Sequence, residues 1–260
     1  MMVCCDKAVF FDFDGTLTMS ENPIKTLLKK SGVPGWFFDK AKSRYCGGVL
    51  HKVAKTKLVW KIFQKFFKFA GISKCDFDEV IQNTKLLKNT KETIKALKEN
   101  GYYVFCISGG LRPIIDGALG FDVNLFDEIV ACDVTFTPNG KLKKIYPHNY
   151  DNEGKAKFIQ EMLEKYHIKK ENAVFVGNDN NDVYAKNAGV KTFCLNPDNK
   201  IVDANNKKIW DGTMSGVDDL SQIYYSLVKL TQLDVYAFKQ DYNSKFEETK
   251  VKQTESEFIL

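Results

Sequence analysis

The sequence has few arginines and no long apolar run. Only two of its 38 basic residues are arginine, Arg44 and Arg112. Lysine cannot form the bidentate fork that arginine uses to read bases, so this composition disfavours specific nucleic-acid recognition. No run of 18 apolar residues occurs, and the first residues, MMVCCDK, are too short an apolar stretch for a signal peptide. These absences predict a soluble, cytoplasmic protein.

The cysteines lack the spacing of a zinc site or a disulfide framework. There are seven, an odd number, and no two form a CxxC pair. Cys106, Cys132 and Cys194 lie in apolar runs that resemble strands, where a cysteine usually serves as a small buried hydrophobe. The pattern predicts reduced thiols in the core.

Negative charge is nearly absent from one segment. Between Glu21 and Cys75 there are 13 basic residues and two acidic ones, a local charge of +11 in a chain whose net charge is +5. Such a field attracts anions, which makes small phosphorylated molecules, nucleic acid and an anionic membrane surface admissible partners.

Apolar, β-rich runs alternate with helical patterns along most of the chain. This alternation predicts an α/β fold with a doubly wound, Rossmann-like parallel sheet. The length of 260 residues is enough for a large core with one insertion. The predicted strands are 8–13, 102–108, 127–134, 173–178 and 190–196, and the clearest helical patterns are 90–100 and 154–167.

Three segments depart from the alternation. Residues 133–146 alternate around Asn139-Gly140, which predicts an antiparallel β-hairpin with a two-residue turn. Residues 18–89 show helical patterns only and predict a helical cap inserted after the first strand. The predicted domains are therefore a core of residues 1–17 and 90–235, a cap of residues 18–89, and a polar, mobile tail of residues 236–260.

One helix of the predicted cap is strongly basic. In residues 58–70, Trp60, Phe63, Phe67 and Ala70 fall on one face, and lysines lie largely on another. An apolar stripe of this kind usually packs within a core, so packing inside the cap is the favoured interpretation. A weak contact with an anionic membrane surface, or with a partner, is the alternative.

The run FFDFDGT at residues 10–16 carries the first chemical signal. Buried-strand residues precede Asp12 and Asp14, and Gly15 begins a turn, so both carboxylates lie at the carboxyl end of a strand. Two neighbouring carboxylates repel each other. They coexist if a cation lies between them or if one is protonated, and either state suits acid, base or nucleophilic chemistry.

Three further signals follow at the ends or edges of predicted core elements. Ser108 and Gly109 begin a glycine-rich turn whose hydroxyl and N–H groups suit phosphate oxygens. Lys155 begins a helix, where its ammonium group could neutralise a phosphoryl group. The turn after the 173–178 strand carries oxygen ligands suited to Mg²⁺ on Asn178, Asp179, Asn181 and Asp182.

The order and placement of these four signals resemble the four motifs of the haloacid dehalogenase superfamily of phosphohydrolases, from Ala8 to about Asn196. The helical insertion resembles a C1-type cap. The SGG turn, the spacing to Lys155 and the GNDNND turn are most similar to the phosphoserine phosphatase-like branch. In that branch a carboxylate nine residues after the first aspartate contacts the substrate amine, and Glu21 stands at this position.

The resemblance implies a role for each motif residue. Asp12 would be the nucleophile that forms an aspartyl-phosphate, and Asp14 the general acid and base. Mg²⁺ would be held by Asp12, the carbonyl group of Asp14 and the fourth-motif turn. The phosphoryl oxygens and the substrate would be contacted by Ser108, Gly109, Lys155, Asn181 and Glu21.

The chain departs from the family pattern at three positions. Asn178 stands where an aspartate usually binds the metal, so Asn178, Asp179 or Asp182 could supply that ligand. Gly15 replaces a common serine, and Arg44 does not match the arginine that grips the substrate carboxylate.

The expected function is Mg²⁺-dependent hydrolysis of a small phosphomonoester, phosphoserine or similar. A non-catalytic phosphate- or membrane-binding protein and a phosphotransferase are the alternatives, and the oligomeric state is left open.

Overall fold

The fold is built on a sheet of seven strands. The computed structural model describes residues 6–19, 22–37, 40, 53–179, 181–197 and 210–231. The strands are β1 (Lys7–Phe11), β2 (Tyr102–Leu111), β3 (Glu128–Phe136), β4 (Leu142–Tyr146), β5 (Ala173–Gly177), β6 (Lys191–Leu195) and β7 (Gly212–Met214). Their order is β4-β3-β2-β1-β5-β6-β7, and every neighbouring pair is parallel except β3 with β4.

Helices cover the sheet and form the inserted region. The α-helices whose bounds lie within the described residues are α1 (Pro23–Lys30), α2 (Val53–Phe69), α3 (Lys74–Asn83), α4 (Thr90–Glu99), α5 (Arg112–Leu119), α6 (Gly154–Lys165) and α7 (Tyr224–Leu230). A 3₁₀ helix, Val183–Ala188, follows β5 and lies beside α6. No helix within the described ranges has both the length and the apolar character needed to cross a bilayer.

The central strand β1 is buried on both faces. Val9 and Phe11 belong to a cluster that includes residues of α4 and α7, whereas Ala8 and Phe10 belong to a cluster that includes residues of α6. Successive side chains of a strand point to opposite faces, so the continuous apolar run of β1 fits a position covered on both sides. Helices therefore pack on both faces, and the predicted doubly wound sheet is confirmed.

The inserted helices share a separate apolar cluster. It combines buried residues of α1, α2 and α3 with Leu142 and Ile145 of β4 and with Leu111 and Ile114 of the core. Contact between α3 and α5 is close, since a Cβ atom on Gly117 would lie 2.6 Å from Ile81 Cδ1. The cap thus packs directly against the helix that follows β2.

Several local expectations differ from the structure. Strand β2 continues through Ser108 to Leu111, with an irregularity in its pairing to β3, whereas the sequence pattern ended it at Ser108. The β3–β4 hairpin is present, but its connection spans 137–141, where Thr137 N–H donates to the Lys141 carbonyl, and the predicted two-residue turn is wrong. Ala70 is exposed and follows the end of α2, unlike the predicted buried position.

Some predictions concern residues outside the described ranges, and two elements of the structure were not predicted. Glu21, Arg44 and the tail at 236–260 lie outside the described residues. The short strand β7 and the helix α7 had no clear sequence signal. Cys106, Cys132 and Cys194 are buried free thiols, as predicted. The domain boundaries stay a prediction.

Candidate active site

The first two candidate residues follow the end of β1. Asp12 is 6 % exposed, and its backbone N–H donates to the Val176 carbonyl of β5 at 2.9 Å, which anchors it between the two central strands. Gly15 has a φ of 79°, a conformation that suits glycine, and its N–H donates to Thr18 Oγ1 at 3.1 Å. This turn directs the chain from the sheet edge into the cap.

Lys155 lies at the centre of the site. Its Nζ donates to Asp12 Oδ1 at 2.8 Å and to Asp182 Oδ1 at 2.5 Å, and its side chain is fully buried. Asp12 follows β1, Lys155 lies in the first turn of α6, and Asp182 lies in the segment after β5. The three positions meet at the carboxyl edge of the sheet. Open α/β sheets bind ligands at this edge.

Charge in this cluster is unbalanced. Burial raises the pKa of Asp12 well above its ordinary value, Lys155 opposes this rise, and Asp182 and Asp14 add to it. Burial alone would lower the pKa of Lys155, but Asp12 and Asp182 outweigh it and raise that pKa, so the lysine is charged. One ammonium group therefore faces several carboxylates, and the cluster has too little positive charge to balance them.

Asp182 and Asn178, both in the turn after β5, have different hydrogen-bond partners. Asp182 Oδ2 accepts hydrogen bonds from the backbone N–H groups of Asn178 and Asp179 at 2.8 and 2.9 Å, while its other oxygen accepts from Lys155. Asp182 is thus committed to holding the turn and the lysine. Asn178 instead points towards β1, where its Oδ1 accepts from Thr16 Oγ1 at 3.3 Å.

Two glycines make this arrangement possible. A Cβ atom on Gly15 would lie 2.3 Å from Asn178 Nδ2, and one on Gly177 would lie 2.5 Å from Asp182 Cγ. Real side chains do not approach this closely, so each glycine leaves room for a polar side chain of the site.

The glycine-rich segment of β2 faces the same edge. Ser108 is buried, and its Oγ accepts a hydrogen bond from Gly110 N–H at 3.0 Å. Asp14 Oδ2 lies 3.1 Å from the place where a Cβ atom of Gly110 would be. Because Gly110 has no side chain, the Asp14 carboxylate can approach the backbone of β2.

The loop before α6 contains site residues that the sequence reasoning missed. His148 Nδ1 accepts from Tyr150 N–H at 3.0 Å, so the proton of a neutral ring lies on Nε2, which is 2.8 Å from the Ser108 carbonyl oxygen and donates to it. Asp151 Oδ2 lies 3.0 Å from the place of a Gly109 Cβ atom. The cluster of polar residues just ahead of Lys155 was the available signal.

Asp151 also connects this loop with the turn after β5. Its Oδ1 accepts from Asn152 N–H at 2.9 Å and from Asn181 Nδ2 at 3.4 Å. Asn181 therefore contacts the loop that precedes α6, and within the described residues it has no hydrogen bond to Lys155.

The predicted residues lie at one edge, but they do not all touch. Lys155 joins Asp12 and Asp182 directly, Thr16 joins Asn178 to the β1 turn, and Asp151 joins Asn181 to the Gly109 segment. No group of three His, Cys, Asp or Glu side chains in the described ranges is arranged to hold a metal. A cation here would draw on a mixed donor set of carboxylate, carbonyl and amide oxygens, which suits Mg²⁺.

Two curated proteins resemble the chain in sequence. The phosphoserine phosphatase of Archaeoglobus fulgidus is 29 % identical over 180 residues, covering 68 % of this chain and 48 % of that protein. The phosphoserine phosphatase of Methanocaldococcus jannaschii is 27 % identical over 198 residues, covering 74 % of this chain and 87 % of that protein. The chain thus spans about half the length of the first relative.

Structural comparison leads to the same group of folds. A solved structure described as a phospho-aspartyl intermediate analogue of phosphoserine phosphatase superposes with a TM-score of 0.65 and 22 % identity, covering 84 % of this chain and 97 % of that one. This likeness shows a shared fold. The family model for haloacid dehalogenase-like hydrolases matches residues 7–189, which include every described candidate residue. By this match across most of its length, the chain belongs to the haloacid dehalogenase-like hydrolase family.

Proposed function

We propose that the protein is a phosphomonoesterase that works through an aspartyl-phosphate on Asp12. The observation that carries this proposal is the buried Lys155 ammonium group, which holds Asp12 and Asp182 at the carboxyl edge of the sheet. Such a lysine fixes the position of a nucleophilic carboxylate and supplies positive charge for phosphoryl oxygens. The named relatives, which are phosphoserine phosphatases, support this class of activity.

In the first half-reaction, a carboxylate oxygen of Asp12 attacks phosphorus, and the bond between phosphorus and the leaving oxygen breaks. Asp14 gives its proton to that oxygen, so that an alcohol leaves rather than an alkoxide. Ser108 and the neighbouring backbone N–H groups contact the phosphoryl oxygens. The charge on these oxygens is balanced in part by Lys155.

In the second half-reaction, the ionised Asp14 takes a proton from water. The water oxygen attacks phosphorus, the acyl-phosphate bond to Asp12 breaks, and inorganic phosphate and the Asp12 carboxylate are released. Asp14 ends protonated and Asp12 ends ionised, as at the start. The proton that leaves with the alcohol in the first half-reaction is thus replaced on Asp14 by a proton from water in the second.

The residues fit a bound Mg²⁺ ion. Asp12, the Asp14 carbonyl group and Asn178 would hold it, whereas Asp182 is committed to Lys155 and to two backbone N–H groups. The ion would supply the positive charge that the cluster lacks and so favour ionised Asp12 next to a phosphate dianion. An amide oxygen in place of a carboxylate at Asn178 predicts a lower affinity for the metal.

The substrate is proposed to be a small phosphomonoester that enters when the cap moves. Asp14 borders a gap that is too narrow to admit a water molecule and is also lined by Pro23 and Ile24 of α1 and by Gly110 and Ile114. Ligand pockets are typically about 300–1,000 Å³, so binding requires α1 to move away from the core. Phosphoserine is the first candidate because of the relatives, and the buried free thiols suit a reducing compartment such as the cytoplasm.

The test is a phosphate-release assay of the full chain with Mg²⁺ on a panel of phosphomonoesters that includes phosphoserine. Asp12→Asn is expected to lower kcat by at least about 10⁴-fold, because no nucleophile remains. Asp78→Asn, an exposed position on α3, is the matched control and should leave activity unchanged. A panel without any phosphate release, or full activity in Asp12→Asn, would rule out the proposal.

Asp14→Asn tests the division of labour between the two aspartates. On alkyl phosphates kcat should fall by about 10²–10⁴-fold, because the leaving oxygen needs a proton. With p-nitrophenyl phosphate the first step needs no such proton, so a burst of one equivalent of nitrophenolate should precede slow turnover. An equal loss on both substrates without a burst would contradict the role of Asp14.

A further inference from the structure

Helix α2 has two opposite faces with different surroundings. Trp60, Phe63 and Phe67 are buried in the cap cluster, and Gln64 accepts a hydrogen bond from Ile145 N–H of β4 at 2.7 Å. This inner face attaches the helix to the rest of the cap. The side chains on the opposite face of α2 are not needed for this packing.

The outer face exposes large apolar side chains. Leu58 is 51 % exposed, Phe66 36 % and Phe69 95 %. Helical spacing places Leu58 and Phe69 on the side opposite the buried face, and Phe66 about a quarter turn from that face. Trp36, which is 61 % exposed, extends this surface through Phe37, whose ring lies 5.9 Å from that of Phe66. We call Trp36, Leu58, Phe66 and Phe69 the aromatic strip.

Lysines line one flank of the aromatic strip. Lys61, Lys65 and Lys68 are exposed and follow each other at helical spacing. Within the described residues, none of the three forms a salt bridge, whereas Lys30 of α1 pairs with Asp76 and Glu79. Residues 40–75 contain ten basic residues and no acidic one. The flank thus has a charge that only an anionic partner can complement.

We propose that the aromatic strip and its lysine flank dock the cap on an anionic lipid surface. The lysines would lie among the lipid phosphates, and Trp36 and Phe69 would enter the boundary between headgroups and acyl chains. A helix of 17 residues can lie in the plane of such a surface. Nucleic acid fits less well, because the face offers lysine rather than arginine and exposes apolar groups that a phosphate backbone does not bury.

The test is flotation of the full chain with vesicles of phosphatidylcholine alone and with about 30 % phosphatidylserine. Binding is expected only to the anionic vesicles and should weaken as salt is raised, because the Debye length shortens. The catalytic residues play no part in this surface, so the outcome is independent of the proposed function.

Two pairs of variants locate the surface. Lys61→Glu/Lys65→Glu/Lys68→Glu should weaken binding at least about 100-fold, since each lysine contributes about fivefold. Lys95→Glu/Lys157→Glu/Lys169→Glu changes the net charge equally on exposed core positions and should bind like the unmodified chain. Phe69→Ser should weaken binding by about tenfold, and Phe121→Ser, at an equally exposed core position, should not.

The proposal is supported if both α2 variants lose binding and both controls keep it. It is overturned if the chain does not float with anionic vesicles, or if the control variants lose binding to the same extent. Tight, lysine-dependent binding to single-stranded RNA without vesicle binding would also overturn it and assign the face to nucleic acid.

Discussion

The carboxyl edge of the sheet and the outer face of α2 treat charge in opposite ways. At the sheet edge, the fully buried Lys155 has two carboxylate partners at 2.8 and 2.5 Å. On α2, Lys61, Lys65 and Lys68 are exposed and have no salt bridge within the described residues.

The difference follows from the cost of removing a charge from water. A buried charge must be paired and hydrogen-bonded, so the groups at the sheet edge are fixed in one geometry. An exposed lysine remains hydrated, keeps its rotamer freedom and can adapt to a diffuse anionic surface. The first region is suited to chemistry and the second to docking.

The largest effect is expected for Lys155→Met, which tests whether the buried cluster depends on its single cation. The change leaves the Asp12 and Asp182 carboxylates uncompensated and should lower the free energy of unfolding by about 3–5 kcal/mol. Lys157→Met, at an exposed position on α6, and Lys61→Met on α2 should each change the free energy of unfolding by less than about 0.5 kcal/mol. Urea denaturation of all three variants measures the difference, and similar losses at all three would break the comparison.

The next effect concerns His148, which is half-buried at the sheet edge. His148→Ala leaves the Ser108 carbonyl group and Tyr150 N–H without their partner and should cost about 1–3 kcal/mol of unfolding free energy. His148→Gln, which can both donate and accept, should recover part of this loss.

The pH dependence of stability gives a second measure of the same residue. Burial lowers the pKa of His148 below its ordinary value of 6.5, against the raising effects of its bond to Ser108 and of Asp151 and Asp133, while Lys155 adds to the lowering. The unfolded chain then binds the proton more tightly, so stability is complete above pH 6.5 and is lost as the pH falls towards the lower folded value. This acid loss should be smaller in His148→Gln, and an unchanged pH profile would contradict the assignment.

The smallest effect compares two glycines with similar, positive φ angles. Gly15 and Gly32 have φ values of 79° and 75°, but only Gly15 lies against a side chain, with Asn178 Nδ2 2.3 Å from its would-be Cβ atom. Each change to alanine should cost about 1–2 kcal/mol of backbone strain. Gly15→Ala should in addition displace Asn178 and weaken Mg²⁺ activation.

Titration of activity with Mg²⁺ separates these two glycines. The concentration for half activation should rise in Gly15→Ala and stay constant in Gly32→Ala, which has open space around the added methyl group. An equal Mg²⁺ requirement in both variants would remove Asn178 from the proposed metal site.

Patterns local in sequence predicted most of the architecture. The apolar runs of β1 and β5 have the composition of strands buried on both faces, and Trp60, Phe63 and Phe67 repeat at helical spacing, so local periodicity was sufficient for these elements. The two-residue hairpin turn was wrong because the connection is closed by bonds between Thr137 and Lys141, outside the Asn139-Gly140 pair. Strand β7 has three residues and pairs only with β6, so its own sequence carries too short a pattern.

The candidate site was predicted as a set of residues but not as a set of contacts. Asp182 was an expected metal ligand, yet its oxygens accept from Lys155 and from two backbone N–H groups. His148 and Asp151 were not predicted because their partners, Ser108 and Gly109, lie about 40 residues away in sequence. The polar residues just ahead of Lys155 were a local signal, but no local pattern shows which distant residues they contact.

The sequence by itself determined most of the alternation of strands and helices along the chain, the basic character of the inserted segment and the residue types at the ends of the predicted strands, because these follow from composition and periodicity. Only the tertiary structure decided which oxygen faces which nitrogen. The carboxyl ends of β1 and β5 come together when the sheet forms, and burial then forces Asp12, Lys155 and Asp182 to satisfy one another. Hydrogen bonds across such distances depend on the fold as a whole.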